Sequence, residues 1–147
     1  MKKNLAFLFL MTILLTACAG TSPTLSLSDT TWKLLSYGAT DNPTPALADV
    51  AATISFNADG NLKGNVGCNR FAGSYKTSEN KIELGPLMAT AMYCEDTMDQ
   101  ETAVLMLLNG TPTFENDGNT LSIFSWVNHL NIVKTGVAPY LSRKVVL

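Results

Sequence analysis

The stretch GNVGCNRFAGSYK, Gly64 to Lys76, sets a cysteine inside a glycine-rich bend with Asn69 and Arg70 directly behind it. Taken alone, Cys68 is open to four readings: nucleophile, metal ligand, disulfide partner or packed turn residue. Its flanks say more. Upstream, ATISFNADGNLKGNVG alternates Ile54 and Phe56 with Thr53 and Ser55, turns at NADG and returns through Leu62 and Val66, the pattern of a hairpin. Downstream, GSYKTSENKIELG reads as a second hairpin with Tyr75 on one arm and Ile82 and Leu84 on the other.

Working outward, WKLLSY (Trp32–Tyr37) reads as an opening strand, because aromatic and apolar residues suit a half-buried pleat. DNPTPALADV is interrupted by two prolines and reads as a loop. PLMATAMYC reads as a further strand, although so short an apolar run fits other structure too. TPTFENDGNTLSIF again reads strand, turn, strand. Its NDGN, like the earlier ADGN, lacks the registered carboxylates and closing glutamate of a calcium loop.

One segment has a different period. TMDQETAVLMLLNG offers Thr97 as an N-cap with Gln100 three residues on, the spacing of a capping box. Met98, Thr102, Leu105 and Met106 fall on one helical face, and Gly110 follows as a stop. Asp96, Asp99 and Glu101 lie in or near the first turn, where negative charge suits the helix dipole. Gly64, Gly67 and Gly73 read as positions needing positive φ or close backbone approach. Many short strands around one helix predict an α+β fold: a small antiparallel β-sheet or partly closed barrel-like domain with one main α-helix.

The N-terminus addresses location. Lys2 and Lys3 precede an apolar run, Leu5 to Leu15, too short for a membrane span of roughly 20 residues. The run ends in Leu15-Thr16-Ala17-Cys18, which resembles the lipobox of bacterial lipoproteins. Residues 1–17 are therefore expected to be a signal peptide and Cys18 the lipidation site, its several acyl chains giving stable anchoring. Ala19, in place of aspartate, resembles the outer-membrane sorting signal of a two-membrane bacterium. Residues 18–28 read as lipidated cysteine plus tether, and 29–147 as the folded domain.

Removing residues 1–17 shortens the chain from 147 residues to 130 and takes two of its ten basic residues. Eight then face twelve acidic ones, a net charge of −4, which gives no support to nucleic-acid binding. Of three cysteines, Cys68 and Cys94 remain once Cys18 is lipidated, and an even pair in an exported protein is most simply a disulfide.

Other chemistry finds little purchase. His129 is the single histidine, and nothing near it suggests a nucleophile–base–orienter set. A lone histidine in a β-rich tail is expected on the surface or locally hydrogen-bonded. Cys68, Cys94 and His129 lack any paired-ligand spacing for a metal, and no phosphate loop or dinucleotide fingerprint is present. No catalytic residue, metal or cofactor is expected. Trp32, Phe56, Phe71, Tyr75, Tyr93, Phe114, Phe124 and Trp126 are expected mostly in the core.

In order along the chain stand Gly67-Cys68-Asn69, then Phe71, Gly73 and Tyr75, a hairpin, Thr90, Cys94, Met98 and Glu101. Together with DTTWKLLSYG, this set resembles the META domain family over about residues 29–124. The resemblance implies an antiparallel sheet packed with one helix, often on exported or lipid-anchored envelope proteins. It also implies association with heat-shock response and novobiocin resistance, without catalytic residues to carry over. It implies pairing of Cys68 with Cys94 and structural roles for Gly67, Asn69, Gly73 and Thr90. The tail after Phe124 departs from the pattern, either adding a strand through Leu130 to Val133 or running irregularly.

The expected function is a non-enzymatic, membrane-anchored envelope protein acting in stress tolerance or as a binding or assembly module. The alternatives are an inhibitor or pilot-like partner of one envelope protein, and a thiol-dependent enzyme using Cys68 and His129. What the bend presents to a partner would be Asn69 or Arg70.

Overall fold

The alternation in the opening strand sets up the barrel. In β1 (Thr30–Ala39), Trp32 and Leu34 are buried while Lys33 and Leu35 are exposed. A register shift between Leu34 and Ser36 then turns Tyr37, rather than Ser36, to the inside. The structure is a computed structural model and describes residues 25–126 and 128–134. The expected signal peptide, Cys18, most of the expected tether, residue 127 and the chain beyond 134 lie outside the described residues.

The strands that follow are β2 (Pro43–Pro45), β3 (Thr53–Phe56), β4 (Asn61–Asn65), β5 (Arg70–Ser78), β6 (Lys81–Leu84) and β7 (Met88–Ala89). A 3-10 turn (Glu95–Thr97) leads into α1 (Met98–Leu107), and then come β8 (Thr113–Asn116), β9 (Thr120–Phe124) and β10 (Asn128–Lys134). All pairings are antiparallel, in the order β1-β3-β4-β5-β6-β8-β9-β10, and β10 pairs back to β1. Eight strands thus close a barrel, leaving β2 on β1 and β7 on β5 as additions. Closure leaves no free edge in the main sheet.

The tail after Phe124 supplies that closure. β10 aligns Leu130 with Ile123 on one side and with Tyr37 on the other. The barrel interior is filled by Trp32, Ile54, Phe56, Leu62, Ile82, Leu121 and Ile123, each essentially inaccessible. Phe56 and Tyr75 pack edge to face at 5.0 Å, and the Tyr75 hydroxyl donates to the Asn57 carbonyl at 2.9 Å, giving the buried phenol a partner. The two aspartate–glycine turns behave alike, with Gly60 at φ 78° and Gly118 at φ 95°. Asp59 accepts from Asn61, and Asp117 from Asn119 and Thr120, which are hairpin-turn roles.

Two sequence expectations change here. The stretch PLMATAMYC pairs as a strand only at Met88–Ala89. Past Thr90 it leaves the ladder because a side chain, described below, takes over its backbone groups. The helical face also differs. Val104 and Leu107, with Leu108 just past the helix, join the core, while Met98, Thr102 and Met106 are exposed and Leu105 is half-buried. Hydrophobicity is spread around α1, so periodicity alone selected the wrong stripe.

Candidate functional site

Of the residues the sequence singled out around the bend, Gly67, Cys68 and Asn69 meet Glu101 where α1 begins. Glu101 reaches from the first turn of α1 to the β4–β5 bend. Its Oε2 accepts the backbone N–H groups of Cys68 at 3.1 Å and Asn69 at 2.9 Å. Its Oε1 accepts from Asn69 Nδ2 at 2.6 Å, a charge-assisted bond.

Asn69 is only 6% exposed, and its amide is fully used. Nδ2 also donates to the Met92 carbonyl at 2.9 Å, while Oδ1 accepts from Met92 N at 2.8 Å and from Thr90 Oγ1 at 2.7 Å. Two donors and two acceptors are all that an asparagine side chain offers. In bonding both N–H and C=O of Met92, the amide stands in for a neighbouring strand. That is why the Thr90–Cys94 segment needs no ladder of its own. Thr90 Oγ1 in turn accepts from Arg70 N at 3.2 Å.

Cys68 and Cys94 form a disulfide across this junction, with Cα atoms 6.1 Å apart. Gly67 fits by close approach, not by positive φ: a Cβ there would sit 2.8 Å from Glu101 Oε2. Gly73 is similar, since a Cβ would meet Leu87 and the Pro86 carbonyl. Of the two alternatives expected at these positions, positive φ or close approach, it is close approach that both supply.

Gln100 is the residue that the sequence misassigned. It is 1% exposed and does not close a capping box; its Nε2 donates to the Val66 carbonyl at 2.5 Å and its Oε1 accepts from Leu47 N at 2.8 Å. Thr97 likewise makes no side-chain cap bond to the helix. Glu101, expected to serve the helix dipole, has its partners in the bend. Only the three-dimensional meeting of bend and helix reveals either role. Burial raises the phenol of Tyr37 above its ordinary value, with the charge of Asp99 as a second, smaller cause.

His129 is elsewhere. On β10 it aligns with Phe124 and Gly38, is 4% exposed, and stacks on Phe124 with ring centres 6.1 Å apart. The expectation of a surface histidine is overturned by this burial, and among the described residues Nδ1 has no hydrogen-bond partner. Cys68 lies in the bend between β4 and β5, and the structure does not pair the two. Among the described residues, no group of three or more potential metal-ligating side chains converges. Of the aromatic residues, Trp32, Phe56, Phe71, Tyr75 and Phe114 are buried, whereas Tyr93 and Trp126 stand exposed. Asn69 faces inward and is not presented to a partner; Arg70 points out.

The class of protein so defined is a small closed barrel whose helix is latched to one strand bend by a carboxylate, an amide and a disulfide. The chain belongs to the META domain family, whose sequence pattern matches residues 25–134. A comparison with curated protein sequences finds no match. Among solved structures, the fold is similar to an NMR structure of a protein from Burkholderia xenovorans, at 19% identity and a TM-score of 0.64, covering 82% of this chain and 99% of that one. It is also similar to the crystal structure of a DUF4847 family protein from Bacteroides vulgatus, at 13% identity and a TM-score of 0.55, covering 73% and 93%. At such identities these likenesses speak to fold.

Proposed function

We propose that this protein is a non-enzymatic module of the cell envelope, anchored through acyl chains on Cys18 and acting in stress tolerance or as a binding or assembly module. The observation that carries this reading is the saturation of the latch. Cys68 is held in a disulfide, and every polar atom of the Asn69 side chain is bonded inside the fold. Residues so engaged support a scaffold role rather than turnover. A disulfide also accords with an exported destination.

Location provides the test. Globomycin treatment, or Cys18→Ala, is expected to shift the protein out of its normal membrane-bound, processed form; unchanged processing and partitioning would sink the anchoring claim. For the stress role, a deletion strain should lose survival on heating or in novobiocin and recover it with the wild-type chain.

A second reading, a dedicated partner of one envelope protein, draws on the Thr90–Cys94 loop. Met92 and Tyr93 are 56% and 76% exposed on a backbone pinned by Asn69 and the disulfide. Large side chains on a pre-ordered backbone make low-entropy contacts. Crosslinking in membranes should then give one stoichiometric product that Tyr93→Ala abolishes; an unchanged product would remove this loop from the interaction.

A further inference from the structure

The outer face of β3, β4, β5 and β7 carries a groove of about 610 Å³. Strand register arranges its side chains in two rows running across the strands. Ser55, Lys63, Ala72 and Met88 align in one row, each opposite the next. Thr53, Asn65 and Arg70 align in the other, closed by Thr90, whose N–H donates to the Arg70 carbonyl at 3.0 Å.

Neither row contains a carboxylate. Lys63 stands opposite Ala72, so Arg70 is its diagonal neighbour on β5, at a spacing of roughly 7–8 Å that long side chains bridge. Both are exposed. Asp59, between β3 and β4, has its carboxylate bonded to Asn61 within its own turn and does not line the groove. Two cations therefore converge, free of any carboxylate in the groove, on a domain that is otherwise acidic. Beside them the Ala72 methyl leaves a low floor, and Met88, 75% exposed, forms an apolar wall. Methionine suits such a wall, being flexible and polarizable enough to fit different apolar chains. The volume lies within the ordinary range for small-molecule sites, about 300–1,000 Å³.

We propose that this groove binds an anionic amphiphile, its phosphate or carboxylate held between Lys63 and Arg70 and its apolar chain lying over Ala72 against Met88. Guanidinium and ammonium groups bond such anions by charge-assisted hydrogen bonds, with the planar guanidinium able to grip two oxygens at once. The proposal is independent of lipid attachment at Cys18 and goes beyond the scaffold reading of the latch. Its residues, apart from Thr90, take no part in that latch through their side chains.

The test is an NMR titration of the purified full-length protein with methionine methyl groups labelled, using octyl phosphate and octanoate below their micellar concentrations. Both amphiphiles should move the Met88 methyl signal saturably, while octanol and inorganic phosphate at equal concentration bind at least tenfold more weakly. Lys63→Glu and Arg70→Glu should each weaken amphiphile binding at least tenfold, with the rest of the spectrum unchanged. Ala72→Leu, which fills the floor, should weaken the amphiphiles while leaving residual phosphate binding intact. Absence of a saturable Met88 shift, equal binding by the charge-reversed variants, or inorganic phosphate binding as tightly as octyl phosphate would overturn the proposal.

Discussion

Replacing Asn69 by alanine tests the latch at its centre. The substitution removes four side-chain hydrogen bonds, one of them to the Glu101 carboxylate. A charged partner contributes about 2 kcal/mol and a neutral one about 1 kcal/mol, so the full set is worth roughly 5 kcal/mol. Water reaching the exposed Thr90–Met92 segment would restore part of this, leaving a loss of about 3–5 kcal/mol. Over the 110 residues of the domain, 25–134, unfolding entropy is about 0.23 kcal/mol/K, so the midpoint should fall by roughly 15 °C. Urea and thermal unfolding followed by far-ultraviolet circular dichroism, with the disulfide intact, give both numbers. Asn69→Asp sharpens the test, since it sets a carboxylate oxygen against Glu101 and the Met92 carbonyl. It should be at least as damaging as alanine at pH 7 and should recover as pH falls and the new carboxylate protonates. A loss below about 1 kcal/mol for Asn69→Ala, or full tolerance of aspartate at pH 7, would refute the assignment.

Three further outcomes follow from the same structure. Reducing Cys68–Cys94, or replacing both residues by serine, should cost about 3.5 kcal/mol in the chain-entropy account of a loop spanning 26 residues, seen as a lower urea midpoint. On α1, Leu107→Ala should cost about 2–5 kcal/mol, whereas Met106→Lys should stay within about 0.5 kcal/mol; the reverse order would restore the stripe first read from the sequence. Asp117 is held below the usual carboxylate range chiefly by the Thr120 N–H and then by that of Asn119. A lowered folded-state value means its stabilisation is present above the ordinary carboxylate range and is lost as pH falls through the folded value. The urea midpoints of wild type and Asp117→Ala should therefore differ at pH 6 and converge in acid; a gap that widens in acid would contradict the turn assignment.

The hairpins were legible because the turn chemistry is local. Asp59-Gly60 and Asp117-Gly118 sit between alternating runs, and a period of two needs only neighbouring residues to be recognised. The disulfide was legible from counting cysteines, and the motif residues Gly67, Asn69, Gly73 and Thr90 from their order along the chain. Their physical roles were not. Nothing near Asn69 in sequence announces that Glu101 and Met92 are its partners, since these lie 32 and 23 residues away. Gln100 and Glu101 looked like ordinary first-turn residues because local rules describe a helix end exposed to water, whereas here that end meets the strand bend.

By itself the sequence determined the elements and their class: short antiparallel strands, one helix, a cysteine pair and family membership. Each of these depends on local pattern, composition or residue order. Tertiary structure decided the rest. It closed the barrel through β10, which must pair with β9 and β1 at once, a long-range condition that periodicity does not encode. It also chose the helix face, because what α1 buries depends on where the bend and β1 stand. And it brought β7 against β5, so that Met88 joins Lys63 and Arg70 in a groove whose lining carries no carboxylate. Contacts between distant segments are set by packing and closure of the whole sheet, and no window of residues short of the full domain contains them.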